Sequence, residues 1–364
     1  MGRSVSVVVC TRNRASYLKD CLVSLMSQSL EPKEIIIVDD SSDEPLLEML
    51  GTAVAGSKCY ASGTKIIYMR NKKHEGVARS RNLGIAAASG DVIAFIDDDG
   101  YAHKHWLRNL AVPYERNSVV GVGGPVVEVG RQIEKQRNSQ RLSFISHEGD
   151  IVHNYRVSSI KEAGRLKTSA VRFLMGGNMS FRRNMLLEIK GVDSRFKGNA
   201  YREETDLCLR ASRRGKIIFA SNALAYHNTA RIGGTRDVIK MTQFLYWYFR
   251  NTTIFFLKHF DFWNAMHKIH RHARKLAYSV LNGTLHTNRD YLLIDHKAKQ
   301  VAAILNGIVS GILKAGNSMR RLSFANPETI MTLKVQLTDG VPQLIAERNI
   351  LSSARLVLQL RTTK

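Results

Sequence analysis

The sequence predicts an α/β fold in which a mostly parallel sheet is flanked by helices. Short apolar runs rich in β-branched residues alternate along the chain with stretches whose apolar residues recur at helical spacing. The runs are nearly uninterrupted, which is typical of strands covered on both faces. Two of them end in clusters of aspartates, and ligands of open α/β sheets bind beyond the carboxyl ends of the strands. We therefore expect a binding site at that edge of the sheet.

Four strands and the helices between them are predicted in the first third of the chain. The strands cover Ser4–Cys10, Glu34–Val38, Ile66–Met69 and Val92–Ile96. The helices cover Tyr17–Gln28, residues 45–50 and Ala78–Ala88. Strands and helices that alternate at this spacing form βαβ units with right-handed crossovers. Farther along, the pattern predicts a helix over Leu207–Arg214, a strand over Ile217–Ala220 and helices over Thr242–Phe260 and Val301–Leu313.

Three adjacent carboxylates, Asp97, Asp98 and Asp99, follow the strand Val92–Ile96 directly. Such neighbours repel one another, so a bound cation or a wet surface must compensate for their charge. A hard divalent ion such as Mg²⁺ or Mn²⁺ takes oxygen ligands from one or two carboxylates and from the phosphates of a substrate. The alternative is a solvated acidic turn. The position after a buried strand favours a metal–phosphate site.

The composition limits the classes of protein to which the chain can belong. Its 364 residues leave room for two domains, and 44% hydrophobic residues supply an ordinary core. The formal charge of +23 indicates an anionic partner, such as nucleic acid, a phosphorylated ligand or acidic lipid. The four cysteines have no disulfide or metal-ligand spacing and fit a reducing cytosol. We find no signal peptide and no window of about 18 apolar residues that would span a membrane.

Six segments occur in the order that is typical of family-two glycosyltransferases with the GT-A fold. They are SVVVCTRNR, EIIIVDDSSD, GVARSRNLGIAAASGDVIAFIDDD, MGGNMSFRR, EETDLCLRASRRG and AYHN. The chain therefore resembles this family, whose Rossmann-like sheet agrees with the strand pattern. The resemblance implies a catalytic domain over residues 1–230. It also implies metal-dependent, inverting transfer of a sugar from a UDP-, GDP- or dTDP-linked donor to a hydroxyl or phosphate acceptor, in glycan or lipid-linked saccharide synthesis.

The resemblance also implies which residues bind the donor and the metal. The residues expected at the nucleotide and its diphosphate are Thr11, Arg12, Asp39, Arg81 and Asp98. Among them, Asp39 would accept a hydrogen bond from the base, although a plain turn or helix-capping aspartate is the alternative. The expected ligands of Mn²⁺ or Mg²⁺ are Asp99, Asp98 and His227. A lone histidine such as His227 can equally be structural.

A second acidic cluster, Glu203 and Glu204, supplies the expected catalytic base. By its position in the family pattern, Glu204 would deprotonate the acceptor hydroxyl, although relatives usually carry the shorter aspartate there. Acidic residues that only stabilise a helix N-terminus are the alternative. The residues expected near the donor sugar and the acceptor are Gly176, Gly177, Asn178 and Glu203. The glycine pair would permit close backbone approach to a ligand, or form a plain turn.

The composition changes after the catalytic region. Residues 231–364 hold 20 Lys or Arg against seven Asp or Glu, and we expect them to form a mainly helical, basic extension. The segment Thr242–Phe260 is aromatic and apolar, and His267–Lys275 is densely basic. This mixture suits a helix in the interface of an anionic membrane, on its cytoplasmic face, and a lipid-linked acceptor. The alternative is a helix packed on the catalytic domain or in a homo-oligomer contact. Residues 326–364 yield only two or three amphipathic pieces.

Two other functions compete with this interpretation. A sugar-phosphate nucleotidyltransferase also uses a Rossmann-like fold and Mg²⁺, but it would need a glycine-rich basic loop after the first strand, which TRNRASYL lacks. A nucleic-acid-binding protein is suggested by charge alone, and no RNP, helix-turn-helix or zinc signature accompanies that charge. We therefore expect no nucleic-acid partner.

Overall fold

The protein is described by a computed structural model. It covers residues 3–43, 46, 50, 64–130, 142–146, 149–230, 233–234, 240–283, 296–315, 327–338, 341–347 and 358–359. The predicted short helix at residues 45–50 lies largely outside the described residues.

The described helices and strands follow the predicted alternation. The strands are β1 Val5–Thr11, β2 Glu34–Asp39, β3 Lys65–Asn71, β4 Val92–Asp97, β5 Gly100–Ala102, β6 Val119–Gly123, β7 Val126–Glu128, β8 Ser143–Ile145, β9 Ile151–His153, β10 Arg156–Val157, β11 Ser169–Val171, β12 Asn178–Arg182, β13 Lys216–Phe219, β14 Ala225–His227, β15 Pro327–Thr338, β16 Val341–Glu347 and β17 Leu358–Gln359. The helices are α1 Ala15–Met26, α2 Val77–Ala87, α3 Trp106–Ala111, α4 Ile160–Ala163, α5 Arg183–Glu188, α6 Glu203–Ala211, α7 Met241–His259, α8 Phe262–Leu281 and α9 Lys297–Ala315, with a 3₁₀ helix at Val112–Glu115.

One large sheet organises the fold. Its strand order is β11-β13-β6-β12-β4-β1-β2-β3-β15-β16, and β17 also pairs with β3. The strands β3, β2, β1 and β4 are parallel neighbours, whereas β12 lies antiparallel between β4 and β6. A smaller sheet has the order β10-β7-β14-β5, and β8 pairs with β9. The predicted mixed α/β architecture with a mostly parallel sheet is confirmed.

The central strands are buried on both faces, as their unbroken apolar runs predicted. Val7 and Val9 of β1 belong to the same core cluster as Leu22 of α1. Val8 points to the other face and belongs to the cluster that contains Leu83 of α2. Alternate side chains of one strand thus pack into both layers, and each fully buried aliphatic side chain contributes about 1.5–3 kcal/mol.

The strand register brings the predicted site residues to one edge of the sheet. In the parallel pairs, Thr11 lies opposite Asp39 of β2, and Cys10 lies opposite Asp97 of β4. The antiparallel strand β12 begins there, because Asn178 pairs with Ile96. The carboxyl ends of β1, β2 and β4 therefore meet the amino end of β12.

Helix α6 begins earlier than the sequence pattern indicated. It starts at Glu203 rather than at Leu207, so Glu203 and Glu204 lie in its first turn. The preceding residue, Arg202, has a φ of +77°, and this left-handed conformation turns the chain sharply into the helix. The prediction placed the helix by its apolar residues, and the two glutamates interrupted that pattern.

The C-terminal region packs tightly on the rest of the chain. Helix α9 lies against α7, and a Cβ added at Gly307 would come within 2.5 Å of the Tyr246 carbonyl oxygen. The strands β15 and β16 extend the large sheet beyond β3, an arrangement that the amphipathic pattern of residues 326–364 did not specify. Among the described residues, no helix combines the length and the hydropathy that a membrane span requires.

Candidate active site

A cleft of about 310 Å³ opens at the carboxyl edge of the large sheet. Its walls include residues from both acidic clusters, among them Asp99 and Glu204. The predicted site residues that line it are Thr11, Arg12, Arg81, Asp98, Asp99, Gly176, Gly177, Glu203, Glu204 and His227. The two clusters, more than 100 positions apart in the sequence, therefore face one cavity. Asp39 and Asn178 are the two predicted residues that do not line it.

Asp97, Asp99 and His227 form a group that can hold a metal ion. One ligand atom from each lies within 4.8 Å of the others. The Nε2 atom of His227 is 3.2 Å from Asp99 Oδ1, and the Asp97 side chain is 40% exposed at the cleft. Two carboxylates suit Mg²⁺ or Mn²⁺, and a partly open site leaves positions for phosphate oxygens. The residues present therefore fit the divalent cation that the sequence indicated.

Glu128 fixes the orientation of His227. Its Oε1 atom lies 2.9 Å from His227 Nδ1, and Thr229 Oγ1 donates to its Oε2 atom at 3.0 Å. Burial alone would lower the pKa of His227, but the hydrogen bonds and charges of Asp99 and Glu128 outweigh it and raise the pKa to about 9. Burial likewise opposes the charge of Glu128, yet His227 and Arg156 hold its pKa down at about 2. A histidine oriented by a carboxylate is typical of metal ligands.

Asp98 pairs with Arg14 instead of joining the metal-ligand group. Arg14 Nη1 lies 2.7 Å from Asp98 Oδ1 and 3.4 Å from Asp99 Oδ2, and its Nη2 donates to the Gly233 carbonyl at 2.8 Å. Burial and the charge of Asp99 raise the Asp98 pKa to about 6 although Arg14 opposes this. The family resemblance implied that Asp98 binds the nucleotide or the metal. The geometry brings Asp97 into the group in its place, because the Asp98 carboxylate faces the guanidinium.

Arg81 connects the two acidic clusters from below the cleft. Its guanidinium forms a buried ion pair with Glu203, and its Nη2 atom lies 3.3 Å from Asp97 Oδ1. The same Nη2 atom donates to the Gly176 carbonyl at 3.2 Å. The sequence suggested that Arg81 would balance a diphosphate. In the structure the guanidinium instead neutralises protein carboxylates, so its charge is already shared with Glu203 and Asp97.

Glu204 projects into the cleft with few constraints. It is half-buried, and among the described residues no side chain donates a hydrogen bond to its carboxylate. Burial raises its pKa, and Asp97 adds to this effect, whereas Arg202 and Arg81 oppose it. A carboxylate whose pKa is raised is a stronger base, which suits a group that accepts a proton. Glu203 is fully buried beside it and is held by Arg81.

The glycine pair lies directly against two charged side chains. A Cβ at Gly176 would lie 2.9 Å from Arg81 Nη2, and a Cβ at Gly177 would lie 2.7 Å from Asp97 Oδ2. Both glycines line the cleft, as predicted. Asn178 instead points into the core, where its Nδ2 atom donates to the carbonyls of Pro125 and Ala223 at 2.9 and 2.8 Å. The side chain of Asn178 thus joins the connections that precede β7 and β14, and it does not line the cleft.

Asp40 lines the cleft, whereas its neighbour Asp39 does not. Asp39 is fully buried and accepts hydrogen bonds from Ser42 and Tyr68, so its carboxylate is not presented to a base. Asp40 lines the cleft and accepts from the backbone N–H groups of Glu75 and Gly76, each at 2.8 Å. Burial alone would raise the Asp40 pKa, but the hydrogen bond with His74, together with those from the Glu75 N–H group and from Asn71, lowers it below its usual value. The expected base contact of Asp39 is therefore not supported by the geometry.

Sequence reasoning missed two residues of this site. Glu128 ends the three-residue strand β7, which has no motif around it, and Arg14 was read only as part of a polar turn. Arg14 lies three positions after the end of β1, so a count of cations in the turn after the first strand would have included it. No sequence signal identified Glu128.

The sheet, the candidate metal-ligand group and Glu204 in the same cleft define an α/β protein whose candidate site lies at the carboxyl ends of the strands. The family model described as glycosyl transferase family 2 matches residues 6–190, which is about half of the chain. The chain therefore belongs to this family, as the sequence pattern indicated, and carries a family-two glycosyltransferase domain.

Several curated relatives are similar over part of their length. The chain is 31% identical over 216 residues to the glucosyl-dolichyl phosphate glucuronosyltransferase of Haloferax volcanii, which covers 57% of this chain and 62% of the relative. It is 26% identical over 227 residues to the pre-mycofactocin glycosyltransferase of Mycobacterium tuberculosis, covering 62% of this chain and 43% of the relative. The chain thus spans less than two thirds of the relatives that it matches.

Two solved structures share the fold. The mannosyltransferase PcManGT from Pyrobaculum calidifontis, in complex with GDP-Man and Mn²⁺, aligns with a TM-score of 0.52 and 14% identity over 86% of this chain and 88% of that one. GalNAc-T7 with UDP, GalNAc and Mn²⁺ aligns with a TM-score of 0.50 and 17% identity over 69% of this chain and 51% of that one. The GT-A fold that the sequence resemblance implied is therefore confirmed.

Proposed function

We propose that the protein is a metal-dependent, inverting glycosyltransferase that moves a sugar from a nucleotide-diphosphate donor to a hydroxyl or phosphate acceptor. The observation that carries this proposal is the single cleft that holds the group Asp97, Asp99 and His227 on one side and Glu204 on the other. Two solved proteins of the same fold carry Mn²⁺ together with UDP or GDP-Man, which supports a nucleotide-sugar donor.

Asp97, Asp99 and His227 would hold Mn²⁺ or Mg²⁺. When bound, the cation stabilises the negative charge that develops on a departing nucleoside diphosphate. Thr11, Arg12 and Asp98 line the same cleft and would border the nucleotide. Gly176 and Gly177 would lie beneath the donor sugar. They carry no side chains, and Arg81 and Asp97 lie directly against them.

Glu204 would remove the proton from the acceptor hydroxyl. The acceptor oxygen then forms a bond to the anomeric carbon as the bond to the diphosphate breaks, and the proton stays on the Glu204 carboxylate. One displacement inverts the anomeric configuration and needs one base but no nucleophile from the protein. The raised pKa of Glu204 supports this assignment, because a stronger base accepts a proton more readily.

Donor binding and slow donor hydrolysis test the proposal. We expect one class among UDP-, GDP- and dTDP-sugars to raise the melting temperature when Mn²⁺ or Mg²⁺ is present, and Asp99→Asn to remove this protection. Glu204→Gln should keep the protection and lose about 10²-fold or more in hydrolysis rate. Glu188→Gln is the matched control, because Glu188 pairs with Arg214 on the exposed surface.

Three results would contradict the assignments. If no nucleotide sugar raises the melting temperature, the protein does not bind the proposed donor. If Glu204→Gln hydrolyses the donor at the wild-type rate, Glu204 is not the base. Release of pyrophosphate from a nucleoside triphosphate and a sugar phosphate would favour a nucleotidyltransferase instead.

We further propose that the basic C-terminal region, residues 231–364, brings the enzyme to an anionic membrane surface, where a lipid-linked acceptor would reside. The aromatic residues of α7 are buried or half-buried, so the outer face of α8 is the better candidate. It exposes Trp263 and Tyr278, at 80% and 68%, together with Arg271, Arg274 and Lys275. Aromatic and basic residues on one helix suit the headgroup region of anionic lipid.

Vesicle flotation distinguishes a membrane-binding role of this surface from a role as a contact between two copies of the chain. We expect binding to phosphatidylcholine vesicles only when phosphatidylglycerol is present, with loss at high salt. Trp263→Ala combined with Arg274→Ala should abolish flotation, whereas Lys19→Ala, which removes an exposed charge on α1, should not. If the wild-type protein binds no vesicles and the double variant has half the wild-type mass in solution, the face is a homo-oligomer contact.

A further inference from the structure

The cleft wall that leads to Glu204 contains backbone in an unfavourable conformation. This segment, residues 193–202, contributes Gly198, Asn199, Ala200 and Tyr201 to the lining of the cleft. Its backbone enters the left-handed region at Gly198 with a φ of +63°, at Ala200 with +51° and at Arg202 with +77°. Two of these residues are not glycine, so the conformation is strained and persists only where the surroundings hold it.

Helix α7 supplies that support through buried polar side chains. Asn251 Nδ2 donates to the Lys197 carbonyl at 2.8 Å and to Asn199 Oδ1 at 3.3 Å. Arg250 Nη1 donates to the Arg195 carbonyl at 2.8 Å. Both Asn251 and Arg250 are buried, where an unmet hydrogen bond is costly. The polar groups of α7 therefore fit the backbone of the segment specifically.

Aromatic residues of the same helix shape the segment further. A Cβ added at Gly198 would lie within 2.3 Å of the Trp247 ring, so the ring occupies the space that any side chain would need. The Arg202 guanidinium lies over the Tyr248 ring at 5.4 Å and donates to the Tyr248 hydroxyl at 3.0 Å. Arg202 is the residue that turns the chain into α6, directly before Glu203 and Glu204.

The end of α7 holds both ends of the wall. Lys258 Nζ lies 2.8 Å from Asp193 Oδ2 and 2.7 Å from Asp206 Oδ1. His259 Nε2 lies 2.7 Å from the same oxygen of Asp206. Asp193 begins the segment, and Asp206 lies on α6 two positions after Glu204. One lysine thus joins the start of the wall to the helix that carries the base.

We propose that α7 is a positioning element for Glu204, in which Asn251, Arg250 and Lys258 set the distance between the base and the acid cluster at Asp97 and Asp99. The inference rests on the proposed glycosyltransferase function. The aromatic and basic residues of α7 that suggested a membrane helix in the sequence serve the cleft wall instead. Arg250, Asn251 and Lys258 are positioning residues and do not touch the reacting atoms.

The test compares two buried residues of α7. Asn251→Ala removes the hydrogen bonds to the segment, and Thr252→Val is the matched control, because Thr252 is buried and its hydroxyl has no hydrogen-bond partner within the described ranges. We measure kcat and KM for hydrolysis of the donor that the wild-type protein accepts. Since a misplacement of ~1 Å costs up to ~10²-fold in rate, we expect Asn251→Ala to lower kcat by about tenfold or more. Its donor KM should stay within about twofold, and Thr252→Val should match the wild type.

A second readout does not depend on the reaction. Hydrogen exchange of residues 195–202 should accelerate in Asn251→Ala and remain unchanged in Thr252→Val. If Asn251→Ala does not fold, Arg250→Lys carries the same test, because a lysine keeps the charge but loses the guanidinium geometry at the Arg195 carbonyl. Three results for the tested variant would each overturn the inference: a kcat equal to that of the wild type, a KM that changes in parallel with kcat, or unchanged hydrogen exchange. If the wild-type protein binds no nucleotide sugar, the proposed glycosyltransferase function is contradicted. The hydrogen-exchange comparison then decides whether α7 holds the segment.

Discussion

Replacing Arg81 tests whether the two acidic clusters depend on its one guanidinium group. Arg81→Met removes the guanidinium but keeps most of the aliphatic volume. The side chains of Arg81 and Glu203 are only 6% and 4% exposed, so the substitution leaves the Glu203 charge buried without its partner. Removing one member of a buried ion pair destabilises a protein by about 3–5 kcal/mol. The Asp97 side chain is more exposed, so loss of that contact adds at most about 1 kcal/mol.

A double-mutant cycle isolates the pair. Glu203→Gln on its own leaves Arg81 without its closest partner, whereas Arg81→Met combined with Glu203→Gln removes both charges and should recover most of the lost free energy of unfolding. Activity should not recover, because Asp97 and the Gly176 carbonyl still lack their contact with the guanidinium. Stability and catalysis are thus expected to separate in this one variant.

The free energy of unfolding is measured by urea denaturation of metal-free protein at neutral pH, with fluorescence and circular dichroism as two probes of a two-state transition. The exposed pair Arg214–Glu188 is the control, and Arg214→Met should change the free energy of unfolding by about 1 kcal/mol or less. A similarly small effect of Arg81→Met, or a double variant no more stable than the single one, would refute the reasoning.

Three further predictions concern metal affinity and pH. Glu128→Gln should weaken Mn²⁺ binding about 10–100-fold in calorimetry, because His227 loses the carboxylate that orients it; unchanged affinity would contradict this. The rate of donor hydrolysis should fall as pH drops through the raised pKa of Glu204, and an acid limb that survives in Glu204→Gln would belong to another group. Burial lowers the His272 pKa from 6.5 to about 4. The unfolded chain binds the extra proton between these values, so stability should fall by up to about 3 kcal/mol as pH drops from 6.5 to 4. His272→Gln should reduce this loss and His270→Gln, at an exposed position, should not.

The sheet was predictable because its strands carry an unusually plain signal. Runs such as Val5–Val9 and Val92–Ile96 are almost entirely apolar, which is typical of parallel strands covered on both faces. The acids that follow were predicted at the correct edge for the same reason. The beginning of α6 was not, because Glu203 and Glu204 interrupt the apolar periodicity on which the helix prediction rested.

The choice between the three aspartates required geometry that residue identity does not carry. Strand β4 ends at Asp97, and Asp98 and Asp99 form the turn before β5, so the direction of each carboxylate depends on the turn and on its contacts with Arg14 and His227. The burial of Asp39 depends on Tyr68, a residue of the next strand, and no local pattern announces that contact.

The aromatic helix α7 was ambiguous in the sequence because rings beside cations occur both at lipid interfaces and in packed helices. What distinguishes the two is the presence of acids elsewhere in the chain. Lys258 and His259 have their partners in the buried residues Asp193 and Asp206, more than 50 positions earlier, and these contacts are at least partly buried.

The same ion pairs bear on how the chain folds. The composition changes near residue 230, yet separating α7 from the preceding residues would leave Asp193 and Asp206 without Lys258. Asp206 would keep Arg210 and Asp193 would keep Arg195, but both carboxylates would still lose a buried partner, at a cost of several kcal/mol. That cost is a large part of the 5–15 kcal/mol that typically separates folded from unfolded domains. We therefore infer that α7 and the catalytic sheet unfold together, and that the wall holding Glu204 is only as stable as the contact between them.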